Sequence, residues 1–168
     1  SCDKIFVWNK SIGEKFREFI KCKYVSIGSF KNNIDENIKA VKRDILYIST
    51  YRSTNLKKKV YENLTWLDFI RNEKKLLSYL EKFCRQKKFR LSILGRYDSE
   101  RGEKQYFEKN FNKDFIFEYI KNDSKRATYQ IAENAKFIIT IDSTLGYEML
   151  AKGKKVALFG IRPEINPF

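Results

Sequence analysis

Apolar residues in this chain come in short runs that alternate with amphipathic stretches. Ile45-Leu46-Tyr47-Ile48-Ser49 is a continuous strand-sized run, the kind buried on both faces of a parallel sheet. Trp66, Phe69, Ile70, Leu76, Leu77, Leu80, Phe83 and Cys84 then recur with a helical period, with one gap near Glu73. That spacing predicts a long helix. Phe89-Arg90-Leu91-Ser92-Ile93-Leu94 reads as the next strand and Lys104 to Phe111 as a short helix. Phe115 to Tyr119 is a further strand. Ser124 is placed to cap a helix running to Asn134, with Ala127, Ile131 and Ala135 inward. The last unit is the most informative: Phe137-Ile138-Ile139-Thr140-Ile141 stops at Asp142-Ser143-Thr144, a short helix follows, and Val156-Ala157-Leu158-Phe159 is a second apolar run.

Upstream, Ile5 to Trp8 and Tyr24 to Ile27 read as strands on either side of a helix over Gly13 to Lys21, with Phe16, Phe19 and Ile20 on one side. Lys31 to Arg43 is polar and reads as a linker. The expected organisation is therefore the end of a preceding Rossmann-like domain over 1–30, a linker over 31–43, and a second Rossmann-like domain over 44–168. Strands alternate with helices from Asp44 onward. Alternation predicts an α/β fold: a parallel sheet joined by right-handed crossovers, with helices on both faces.

In open sheets of this kind ligands bind beyond the C-terminal ends of the strands. Three such ends carry polar residues or glycine: Thr50-Tyr51-Arg52, Gly95-Arg96 and Asp142-Ser143-Thr144. A shared rim would bring Arg52 and Arg96 to a helix N-terminus, whose N–H groups and dipole suit a phosphate. Each residue also has a plainer reading. Ser143 or Thr144 can simply cap the helix. Arg52 and Arg96 can be surface arginines. Asp142 can hydrogen-bond loop N–H groups rather than act in catalysis. Gly146 costs about 1 kcal/mol relative to Ala inside a helix, so it calls for a reason, and room for a ligand is one. Glu148 can either accept the hydroxyls of a ribose or favour the helix dipole.

Composition narrows the chemistry. The chain has 168 residues and a net charge of +14, which favours acidic partners. It has no histidine, which removes Ser-His-Asp triads, Cys-His pairs and histidine metal sites. Cys2, Cys22 and Cys84 fit neither a disulfide framework nor a metal motif, and reduced thiols in the cytoplasm account for them. No metal site is expected. No P-loop or G-x-G-x-x-G fingerprint occurs. No run is long enough to span a bilayer. The chain begins at Ser1 and its one methionine is Met149, so it is expected to be processed or to be a piece of a longer protein.

The run from Phe137 to Gly160 resembles the donor-binding half of GT-B glycosyltransferases, in particular those of bacterial surface-carbohydrate and lipopolysaccharide biosynthesis. The resemblance covers Ile45 to Gly160, and residues 1 to 30 fit the end of the preceding domain. It implies that Ser143, Thr144 and Gly146 take a phosphate role and that Glu148 binds ribose. It implies that Tyr119 and Ile120 lie where such domains contact the nucleobase. Thr50, Arg52, Gly95 and Arg96 complete the expected phosphate site. The implied substrate is a nucleotide sugar, linked to CMP, CDP or UDP, with a glycan or glycolipid acceptor and no cofactor. The implied location is cytoplasmic, with peripheral contact to the anionic inner membrane. No catalytic residue is assigned. A sugar-nucleotide 2-epimerase shares a related pattern and is the first alternative. A basic nucleic-acid-binding module is the second, since Arg85, Lys87, Lys88 and Arg90 surround Phe89. Phe89 at a helix-to-strand junction suits a core role better, and the chain lacks a nucleic-acid-binding motif.

Overall fold

The computed structural model describes residues 2–28, 41–52, 56–61, 64–96, 102–122 and 125–160. Most of the expected linker, the Ser124 cap and the loop after Gly160 lie outside the described residues. The chain divides into two compact units, residues 1–37 and 38–168.

In the first unit β1 (Lys4–Val7) and β2 (Lys23–Ser26) pair in parallel, joined by α1 (Lys10–Arg17). The helix begins and ends earlier than the spacing of Phe16, Phe19 and Ile20 predicts. Asn9 is the reason at the start, since its side chain accepts the Ile12 N–H at 2.9 Å and caps the first turn. Gly13 therefore lies inside the helix, where a Cβ would stand 3.3 Å from both Tyr24 and Val7.

The second unit runs β3 (Arg43–Ile48), β4 (Lys59–Tyr61), β5 (Leu64–Thr65), α2 (Trp66–Lys87), β6 (Leu91–Leu94), α3 (Glu103–Asn110), β7 (Phe117–Ile120), α4 (Lys125–Glu133), β8 (Ala135–Thr140), α5 (Thr144–Ala151) and β9 (Val156–Leu158). Five strands form one parallel sheet in the order β7-β6-β3-β8-β9. This is a Rossmann-like α/β sheet. The chain winds outward from β3 through β6 to β7, then returns to β8 on the other side of β3. The direction of winding therefore reverses between β3 and β8, which is where such folds open a crevice.

Alternation along β3 builds the core on both faces. Ile45 and Tyr47 pack with Phe69, Leu77 and Leu80 of α2 and Phe107 of α3. Leu46 and Ile48 pack with Ala132 of α4 and Leu145 and Met149 of α5. Phe89 packs against the first of these clusters, as its position predicts. Arg43, expected in the linker, belongs to β3 and bonds through its N–H to the Asn134 carbonyl at 3.1 Å. The charged connection that carries Leu56, Val60 and Leu64 contains the antiparallel pair β4–β5.

Candidate functional site

The strands of the second unit end on one rim, and a cavity of about 280 Å³ opens there. From β3 it takes Ser49, Thr50 and Arg52, and from β6 Gly95 and Arg96. From the end of β7 comes Asn122, and from β8 into α5 come Asp142, Ser143 and Thr144. Trp66 and Phe69 of α2 form an apolar wall. The expected rim residues Thr50, Arg52, Gly95, Arg96, Ser143 and Thr144 thus all line one cavity.

Two guanidinium groups give it a positive character. The Arg52 guanidinium lies over the Trp66 ring, 4.1 Å from its centroid. The attraction of a cation for the ring face helps to hold that charge at the cavity wall. Arg96 donates from Nη1 to the Tyr51 carbonyl at 3.2 Å, which ties the β6 end to the β3 end. The third positive element is the α5 N-terminus. Ser143 is its N-cap in extended conformation, but its hydroxyl makes no capping hydrogen bond. The Ser143 carbonyl instead accepts the Gly146 N–H at 2.9 Å. Side-chain capping by Ser143, the plainer expectation, is therefore not what the structure contains. Asp142 brings an acid into the lining, and burial pushes its carboxyl up from the ordinary aspartate range.

Four expected site residues are not among the lining residues. Gly146 is buried against β8, where a Cβ would stand 2.5 Å from Thr140 Cγ2. Its helical position is explained by close packing on the strand. Glu148 accepts a hydrogen bond from the Tyr129 hydroxyl of α4. Burial and that partner push the Tyr129 hydroxyl well above the usual tyrosine range. Tyr119 turns its hydroxyl to Glu103 Oε2 at 2.7 Å. Ile120 packs against the core cluster on the α4–α5 face.

Glycine at position 95 also has a packing reason. A Cβ there would stand 2.4 Å from the Tyr119 hydroxyl and 3.0 Å from Glu103 Oε2. Only a residue without a side chain lets the β6 end pass over this pair.

Beneath the rim lie two buried carboxylates that the sequence pattern did not single out. Glu73, on the buried face of α2, accepts from the Tyr47 hydroxyl. Burial pushes its carboxyl up to about 7. Glu103, at the start of α3, accepts from Ser49 Oγ at 2.5 Å and from Tyr119. Burial raises this carboxyl as well, opposed by those hydrogen bonds. Asn122 and Thr128 were also missed. Thr128 donates to Asn122 Oδ1 at 2.7 Å, and both line the cavity. Asn122 was within reach of sequence reasoning, because it follows a predicted strand at its C-terminal end.

Among the described residues no group of Cys, Asp and Glu side chains is arranged to hold a metal ion. No described helix is long and apolar enough to cross a membrane.

A family model described as "putative O-antigen biosynthesis protein" matches residues 1–167. No curated protein and no solved structure matches the chain.

Proposed function

The chain belongs to this O-antigen biosynthesis family, and on that premise we propose that residues 38–168 hold the nucleotide of an activated sugar donor. The family sets the context, which is surface-polysaccharide synthesis. One observation carries the finer reading. Arg52, Arg96, Ser143, Thr144 and the α5 N-terminus converge on one cavity where the winding of the sheet reverses.

That combination suits a phosphate chain better than a neutral ligand. Two guanidinium groups supply charge and fork-shaped donors. The helix end adds backbone N–H groups and the positive end of its dipole. In a glycosyl transfer the leaving nucleotide gains negative charge as the bond to the sugar breaks. Donors fixed around its phosphates stabilise that charge. The cavity's 280 Å³ lies near the lower end of small-ligand sites, about 300 Å³. It fits the phosphates and part of a nucleoside, so the sugar would extend beyond it. For Glu148 to bind the ribose, it would have to share or exchange the Tyr129 hydroxyl. Tyr119 and Ile120 would meet a nucleobase only through backbone groups, since both side chains are engaged in packing or hydrogen bonding.

In this reading the whole protein is a glycosyltransferase of GT-B type, and a glycan or glycolipid is the acceptor. The net charge of +14 would favour peripheral contact with an anionic bilayer at the cytoplasmic face.

Ligand-observed NMR with CMP-, CDP-, UDP- and GDP-sugars tests the proposal. A cytidine- or uridine-linked sugar should bind and be displaced by its free nucleotide. No binding by any member of the panel would reject it. Conversion of the donor to its epimer without acceptor would favour the isomerase alternative.

A further inference from the structure

Glu103 makes contacts that no single element explains. The residue is only 2 % exposed. Ser49, at the end of β3, donates to Oε1 at 2.5 Å. Tyr119, on β7, donates to Oε2 at 2.7 Å. The Arg96 backbone N–H, just beyond β6, approaches Oε1 at 3.4 Å and Oε2 at 3.3 Å. One carboxylate therefore joins three neighbouring strand ends, each of which contributes residues to the cavity lining.

We propose that Glu103 is the positioning residue of this cavity, setting where the Ser49–Arg52 and Gly95–Arg96 segments present their anion-binding groups. The inference rests on the anion-binding reading of the cavity. Among the described residues, Ser49, Tyr119 and the Arg96 N–H all donate to Glu103, so an ionised carboxylate satisfies them all. Ser49, while donating to Glu103, accepts the Tyr51 N–H at 3.1 Å. The Tyr51 carbonyl in turn accepts from the Arg96 guanidinium at 3.2 Å. The chain of contacts thus leaves Glu103 through the backbone of one segment and returns through the side chain of the other. Gly95 belongs to the same arrangement, because any side chain there would displace the Tyr119 hydroxyl. The α3 N-terminus favours a negative charge at Glu103, and Gly102 reaches that helix start with a φ of +100°.

Glu103→Gln keeps the shape of the side chain. Its amide nitrogen can only donate, so it faces a donor on one side. The substitution should move the Arg96 region and spare the rest of the fold. Inorganic pyrophosphate is the probe, titrated into the full chain at about 0.15 M salt, where exposed charges are screened beyond about 8 Å.

The wild type should bind saturably, and Glu103→Gln should weaken binding by about fivefold or more. In an Arg96→Ala background the same substitution should cost clearly less, because one of the two arginines it positions is gone. The Arg96 amide proton should also move upfield in Glu103→Gln, having lost a carboxylate acceptor. Tyr119→Phe removes one donor and keeps the acid. It should shift the same amide and weaken pyrophosphate by about twofold.

Equal losses in both backgrounds would mean that Glu103 only supports the fold, and would overturn the proposal. So would an Arg96 amide unmoved in both variants. Wild-type protein that binds no pyrophosphate would reject the anion-binding reading and this inference with it. Wild-type binding that both variants retain in full would reject the inference alone.

Discussion

Glu73 accepts a hydrogen bond from the Tyr47 hydroxyl across the interface between α2 and the central strand, with both side chains fully buried. Burial pushes this carboxyl up from an ordinary 4.5 to about 7, against the opposing effect of the Tyr47 hydrogen bond. The folded chain therefore holds the proton more tightly than the unfolded chain does. The resulting stability is complete below about pH 4.5 and is lost as the pH rises through 7. Glu73→Gln cannot ionise and should escape that loss. Between about pH 5 and pH 8 the wild type should lose about 2–3 kcal/mol relative to the variant. Urea unfolding at the two pH values measures this, and parallel behaviour would contradict it.

Gly146 fits against Thr140, where a Cβ would be 2.5 Å from Cγ2. Gly146→Ala should destabilise the domain by about 1–3 kcal/mol through overpacking. Thr140→Ser removes the offending methyl and keeps the hydroxyl, which donates to the Ile48 carbonyl at 3.2 Å. The double variant should recover most of the loss in thermal unfolding. If the double variant stays as unstable as Gly146→Ala, packing on Thr140 is not the reason for the glycine.

Gly95→Ala should be more disruptive, because its Cβ meets Tyr119 Oη at 2.4 Å and Cζ at 2.9 Å. Tyr119→Phe removes the hydroxyl but leaves the ring carbon in place, so it should rescue only part of the stability. A destabilisation of about 2 kcal/mol or more is expected, read from urea midpoints. Near-neutral behaviour would show that the β6 end can shift freely.

Glu148 and Tyr129 test the ribose proposal. If the carboxylate binds ribose, Glu148→Ala should weaken nucleotide by about 1–3 kcal/mol. Tyr129→Phe removes the competing donor and should leave affinity unchanged or improved. Calorimetry in which both variants match the wild type would assign the pair to linking α4 and α5.

The rim was legible in the sequence because it follows from strand polarity. Once Ile45 to Ser49, Phe89 to Leu94 and Phe137 to Ile141 read as parallel strands, the residues after each must share one edge. Strand polarity alone brings Thr50, Arg52, Arg96 and Ser143 together. It could not tell which neighbours turn into the cavity. Gly95 and Gly146 are glycines because Tyr119 and Thr140 crowd them, and those contacts are tertiary. Glu73 looked like a gap in an apolar helical stripe. The donor that makes it a buried member of that stripe, Tyr47, lies 26 residues away. Ser49 and Glu103 are 54 residues apart, and nothing local in either segment marks the other.

In the proposed function the cavity between β3, β6 and β8 holds the phosphates of a nucleotide sugar. Calorimetric titration of the wild type and an Arg52→Ala/Arg96→Ala variant with the nucleotide selected from the sugar panel tests it most directly. Saturable wild-type binding and a loss of about tenfold or more in the variant are expected, since each arginine supplies charged hydrogen bonds. Equal affinity in the two proteins, with the variant's fold intact, would contradict it.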